Sequence, residues 1–277
     1  MKKILVPTDF SPCANNAAET ALQIAQKANA GIDFLHILVT PIDWVALDIR
    51  KESQYPEVKK QIGHAKGELN KWVKRAKGLG LQSEKVLTFT QGSEEIVNHA
   101  ESHGHDLIVM GSHGASGLKE LVMGSNAQKV VQEAKTPVLI IKEELKSLKI
   151  ENMVFASTFL EDVHRPFHQI IDFADLMGAY NSLLYVNVPE QFEESHQSES
   201  RMKSFLTRCP RGTCSINVFN AETPEKGILQ FAEDRGMDVI AIVTHGRKGI
   251  KGLFASSLTE KLVNHSPLPV LSVNMQA

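Results

Sequence analysis

Short apolar runs recur along the chain, and segments of helical pattern separate them. KILVP from Lys3 is apolar and partly β-branched, which predicts a buried strand. Ser11 and then Pro12 place an N-cap before a proline at the first helical position, so a helix is expected from there to about Ala28. IDFLHILV predicts a second strand, the stretch from about Pro56 to Lys77 a second helix, and KVLTFT a third strand. SEEIVNHAESHG reads as a helix stopped by Gly104. DLIVMG is then a fourth strand, the segment from Ser125 a fourth helix, and PVLIIK a fifth strand. Strands alternating with helices indicate a parallel sheet covered on both faces, and hence an α/β fold.

The pattern occurs twice. DLIVMGSHGASGLKELVMGSNAQKVV from Asp106 matches DVIAIVTHGRKGIKGLFASSLTEKLV from Asp238 at an offset of 132 (238 − 106). The same offset aligns Pro137 with Pro269 in the closing runs TPVLIIK and LPVLSVN. The openings match at an offset of 149 (152 − 3), Lys3 falling on Asn152, so the second copy is shorter in its middle. KEELKSLK from Lys142 separates the copies and reads as a solvated linker. Two domains are therefore expected, at 1–143 and 150–277. The apolar closing runs PVLII and PVLSV are expected to join them edge to edge or face to face.

Composition removes several classes of function. The chain has 277 residues, with 30 Lys+Arg against 32 Asp+Glu, and this near-neutral balance argues against a general nucleic-acid binder. No apolar run approaches the roughly 20 residues that span a bilayer, and the four-residue run in MKKILVPTDF is too short for a secretory signal. A cytoplasmic protein is expected, and three cysteines, Cys13, Cys209 and Cys214, form no disulfide framework. The spacing in CPRGTC matches neither a redox CxxC nor a zinc knuckle.

In an open parallel sheet, ligands bind beyond the carboxyl ends of the strands. Two segments of the first copy fall there: Pro7-Thr8-Asp9, and Gly111-Ser112-His113-Gly114 running on to Gly124-Ser125. Gly111 and Gly114 are expected to turn with positive φ and to admit a ligand closely. Ser125 with Gln128 has the form of a capping box, and a helix start there favours an anion. A glycine loop and a helix N-terminus together suit a polyphosphate.

These residues carry a resemblance. Gly111-x2-Gly114-x9-Gly124-Ser125, with the opening ILVPTDFS and the closing TPVLII, resembles the nucleotide-binding signature of the universal stress proteins, and both halves are similar to that family. The resemblance implies two Rossmann-like, doubly wound domains of strand order 3-2-1-4-5 and an ATP ligand in the first. It places Asp9 at the ribose or a phosphate-bound Mg²⁺ and Pro7 and Ile37 along the adenine side, with Thr8 also in the site. It places Met110 and Gly111 near ribose and base, Gly114 near the phosphates, and Gly124, Ser125 and Asn126 on the phosphates themselves; His113, in the glycine loop, reads as a loop or phosphate-proximal residue. It also implies a pseudo-dimer of the two domains, with a homodimer and an unknown protein partner left open.

The second copy departs from the signature. Asp9 becomes Thr158, Gly111 becomes Val243 and Gly124 becomes Ser256, while Gly114 persists as Gly246 and Ser125 as Ser257. A branched residue at 243 disfavours positive φ and close approach. The second half is therefore expected to keep the fold and to lose tight ATP binding. Neither a P-loop nor a GxGxxG after the first strand is present, and no nucleophile with a paired acid is evident. A regulatory stress-response protein is the leading expectation. A slow ATPase or phosphotransfer enzyme and a nucleotide-free scaffold are the rivals.

Three other features of the sequence bear on function. His99, His103 and His105 lie close together but become Phe231, Arg235 and Met237 in the second copy. His99 and His103 have an i, i+4 spacing that can bind metal, but the leading reading of the three is exposed histidines at a helix C-terminus. Cys13 reads as an inert thiol in the first turn of a helix. EQFEESHQSES from Glu190 reads as a mobile surface loop.

Overall fold

The computed structural model describes residues 1–89, 94–113, 123–143, 149–209, 214–245 and 253–276, with the side chains of 253–257 excepted. The linker segment 144–148, Gly114 and Gly246 lie outside the described residues.

The first half runs β1 (Lys3–Pro7), α1 (Pro12–Ala28), β2 (Gly31–Leu38), α2 (Pro56–Gly78), β3 (Ser83–Phe89), α3 (Glu94–Ser102), β4 (Leu107–Gly111), α4 (Ser125–Glu133) and β5 (Val138–Ile141). The second runs β6 (Asn152–Ala156), α5 (His164–Met177), β7 (Tyr180–Asn187), α6 (Ser195–Thr207), β8 (Cys214–Asn220), α7 (Pro224–Asp234), β9 (Val239–Thr244), α8 (Leu253–His265) and β10 (Val270–Asn274). Local chemistry sets the boundaries. Ser11 caps α1 by accepting from the Ala14 N–H at 3.2 Å. Gly104 and Gly236 terminate equivalent helices at φ 64° and 59°, where a side chain would be strained.

One ten-stranded sheet has the order β3-β2-β1-β4-β5-β10-β9-β6-β7-β8. Each half thus has the expected 3-2-1-4-5 order and is parallel within itself. The closing strands meet edge to edge, β5 antiparallel to β10 with Leu139 opposite Leu271. Those two leucines are equivalent in the repeat, so a local twofold axis passes between them. Paired contacts surround the axis: Lys142 Nζ donates to the Asn264 carbonyl at 2.6 Å, and Asn274 Nδ2 donates to the Gln132 carbonyl at 3.3 Å.

Strand residues alternate between two apolar layers. Ile4, Val6, Phe34, Leu107 and Val109 belong to one, and Leu5, Leu35, Ile108 and Met110 to the other. This period of two places core on both faces of every central strand. Asp106 and Asp238 are a further shared device, each accepting from backbone N–H groups at the start of its half's first strand, Lys3 at 3.0 Å and Asn152 at 2.9 Å.

The stretch from Glu190 differs from the loop expected of it. Pro189–Gln191 forms a 3-10 turn and α6 begins at Ser195. Ser198, Met202 and Phe205 are its buried residues, a helical spacing hidden by the polar residues that cover its outer face.

Candidate functional site

A cleft of about 300 Å³ opens at the carboxyl ends of β1 and β4, where the strand order reverses direction. Pro7, Thr8, Asp9, Ile37, Met110, Gly111, His113, Gly124, Ser125 and Asn126 all line it. Gly114, the remaining residue singled out by the signature, lies outside the described residues. Ala14, Leu35, His36, Ile96 and Ala127 line it as well, and sequence reasoning missed them. The signal for Leu35 and His36 was available, since both immediately precede Ile37 at the end of a strand aimed at the cleft.

Met110 and Ile96 are buried and give the floor an apolar surface. His36 Nδ1 lies 2.7 Å from the Thr8 carbonyl; a carbonyl only accepts, so Nδ1 carries the proton and donates. Phe10 stacks on the same imidazole with centroids 4.5 Å apart. It holds φ 64°, and its repeat equivalent Phe159 holds φ 55°. The left-handed residue after β1 and β6 is therefore part of how each half turns into its helix. Asp9 is exposed, and its Oδ1 accepts from the Ser11 N–H at 3.0 Å. It helps to shape the helix entry while facing the cleft.

Among the described residues, helix α4 enters the cleft without a side-chain cap. Gly124 is its N-cap, with φ −60° and ψ 144°, and Ser125 is its first residue. The expected capping box is absent because Ser125 stands one position too late to cap, and Gln128 donates instead to Glu260 at 3.1 Å. The Gly124 N–H is taken by the Ser112 carbonyl at 2.8 Å. The next three residues, Ser125, Asn126 and Ala127, carry N–H groups that a helix leaves without intrahelical partners, and all three line the cleft.

Gly111 serves a different purpose from the one expected. The positive-φ glycines among the described residues are Gly80, Gly104, Gly178 and Gly236, and Gly111 is not one of them. A Cβ at 111 would lie 2.9 Å from Cys13 Sγ and 3.1 Å from the Ala14 nitrogen. The glycine therefore lets the first turn of α1 pack directly on the end of β4.

The second half resolves the same contact differently. Its helix α5 starts at His164, whereas repeat alignment with Pro12 would start it at Glu161. That shift of nearly one turn makes room for Val243. Protein side chains also gather at the equivalent strand ends. His245 Nε2 pairs with Glu161, and Arg201 Nε donates to the Thr158 carbonyl at 3.0 Å. Arg201 further grips Glu193 at 2.7 and 2.6 Å and lies over Tyr185, the equivalent of His36. Hydrogen bonds from that guanidinium hold the Glu193 carboxyl below its ordinary range. Thr158 is the counterpart of Asp9, so a guanidinium borders the place where the first half presents a carboxylate.

A doubly wound α/β sheet with an open cleft at its switch point and a bare helix start is a class of ligand-binding architecture. Comparison with known proteins makes it specific. A model of the universal stress protein family matches residues 1–142 and 210–274, and the chain belongs to that family. Universal stress protein YxiE of Bacillus subtilis (strain 168) is 33% identical over 148 residues, covering 50% of this chain and 98% of that protein. Universal stress protein MJ0577 of Methanocaldococcus jannaschii is 29% identical over 155 residues, covering 52% and 96%. A universal stress protein structure from Archaeoglobus fulgidus DSM 4304 has a TM-score of 0.79 over 99% of this chain and 98% of that one, at 19% identity, which shows a shared fold. The segment outside the family match spans β6 to α6, where Arg201, Glu193 and Tyr185 lie.

No helix among the described residues is long and apolar enough to cross a membrane.

Proposed function

We propose that the first half binds an adenine nucleotide, ATP in particular, and that the protein acts as a nucleotide-responsive regulator in stress. The observation that carries this reading is the start of α4 on the cleft, capped by no side chain among the described residues. Three neighbouring backbone N–H groups, at Ser125, Asn126 and Ala127, and the positive end of the helix dipole suit a polyphosphate. The apolar floor of Met110 and Ile96 suits a base, with Pro7, Thr8, Ile37 and His36 beside it. His113 and Gly114 would stand near the phosphates. Asp9 fits a ribose hydroxyl or a phosphate-bound Mg²⁺, because an ionised carboxylate accepts several contacts besides the one from Ser11.

In this reading the division into domains 1–143 and 150–277 is a division of labour. The second domain supports the first across β5 and β10 and has no tight ATP site, since Arg201, Glu161 and His245 crowd its strand ends. Adenine nucleotide in the cleft stabilises the folded chain by roughly RT ln(1 + [L]/Kd), about 2.7 kcal/mol at a hundredfold excess over Kd. Mass spectrometry of small molecules released from natively purified protein, with a thermal melt in ATP, tests the reading. Adenine nucleotide in the released fraction and a raised melting temperature, both diminished in Asp9→Ala, support it. An unshifted melt in saturating ATP overturns it.

A further inference from the structure

A second constellation lies at the opposite end of the sheet, by the amino ends of β1, β2 and β4. Asp33 of β2, His99 of α3 and His105, just ahead of β4, each offer one donor atom within 4.8 Å of the others. Asp33 and His105 are buried and His99 is half-buried. The exposed helix end expected from sequence is therefore confined to His103. The others turn inward because His105 is drawn under the sheet by Asp33, whose Oδ2 lies 3.2 Å from His105 Nε2.

The hydrogen bonding leaves coordination capacity unused. An ionised Asp33 only accepts, so His105 donates from Nε2 and its lone pair is at Nδ1. Among the described residues, His105 Nδ1 and His99 Nε2 are both buried without a hydrogen-bond partner. Burying such groups unpaired is costly. The fold itself does not demand them: at the equivalent positions the second half carries Ser182, Phe231 and Met237 and builds the same turn. His103 stacks on His99 with centroids 4.0 Å apart, one helical turn away at the rim.

We propose that His99 and His105, with Asp33 fixing the tautomer of His105 and His103 at the rim, bind a divalent transition metal of the zinc class. Imidazole nitrogens beside one carboxylate suit zinc, cobalt or nickel, whereas magnesium and calcium call for oxygen-rich sites. Lys3 is the competing cation, its Nζ 2.8 Å from Asp33 Oδ2. It is 31% exposed and can swing into solvent when a metal enters.

The test is titration of the metal-free, nucleotide-free full chain with Co²⁺, read by its visible d–d absorption and then by displacement with Zn²⁺. One equivalent is expected to develop bands that Zn²⁺ abolishes. The double variant His99→Phe, His105→Met copies the second half's residues, so it is expected to fold, as circular dichroism will check, and to bind at least tenfold more weakly. The single His99→Phe gives the same readout should the pair fail to fold. Lys3→Asn is expected to bind at least as tightly as the natural chain. Absence of bands in the natural chain, or undiminished bands in folded His99→Phe, overturns the proposal.

Discussion

Gln128 on α4 and Glu260 on α8 hold equivalent places in the two halves, and the Gln128 amide donates to the Glu260 carboxylate at 3.1 Å. Each residue faces its own repeat counterpart, as Leu139 faces Leu271 in the sheet below. A perfect repeat would set identical side chains against one another here. An amide on one side and a carboxylate on the other make the contact favourable.

Gln128→Glu therefore places two carboxylates together. It is expected to cost about 1 kcal/mol at neutral pH, read as a lower melting temperature. As pH falls through the carboxylate range one of the pair takes up a proton, so the deficit shrinks in acid. A deficit that grows in acid would show that the contact is not electrostatic.

Leu271→Ala tests the join itself. Leu271 and Leu139 are fully buried where β10 meets β5. The truncation is expected to cost about 2–5 kcal/mol in a urea titration. A cost below about 0.5 kcal/mol would mean that the halves do not rely on this seam.

Gly111→Val is expected to destabilise the chain by about 1–3 kcal/mol through overpacking, since the new Cβ would press on Cys13 and Ala14. Val243 already occupies the equivalent place harmlessly because α5 starts later. An unchanged unfolding midpoint in Gly111→Val would refute this account of the asymmetry.

Cys214 is pushed up to about 11 by burial and by its neighbours Cys209 and Asp175, so its thiol stays protonated at pH 8. Cys13 and Cys209 are buried. Thiol-specific reagents are expected to label the native chain slowly and all three cysteines promptly in denaturant. Rapid labelling of Cys214 at pH 8 would contradict this.

Much of the fold was legible because its signals are local. Short continuous apolar runs, the Ser11-Pro12 helix start and the repeat itself announce a parallel sheet twice over. The cleft was legible where strand ends and a helix start meet, at Pro7-Thr8-Asp9 and Gly124-Ser125. What stayed hidden depends on partners distant in sequence. Gln128 reads as a capping residue until Glu260 is beside it, and Gly111 reads as a flexible turn until Cys13 packs on it. His99 and His105 read as surface residues because nothing in the chain between them points to Asp33, which reaches them only through the strand order.

The central claim is that one half of a duplicated fold retains room for a nucleotide and the other has filled it. Calorimetric titration of the intact chain with ATP in the presence of Mg²⁺ measures this directly. The account predicts a single site per chain. Two equivalent sites, or no binding at millimolar ATP, would contradict it.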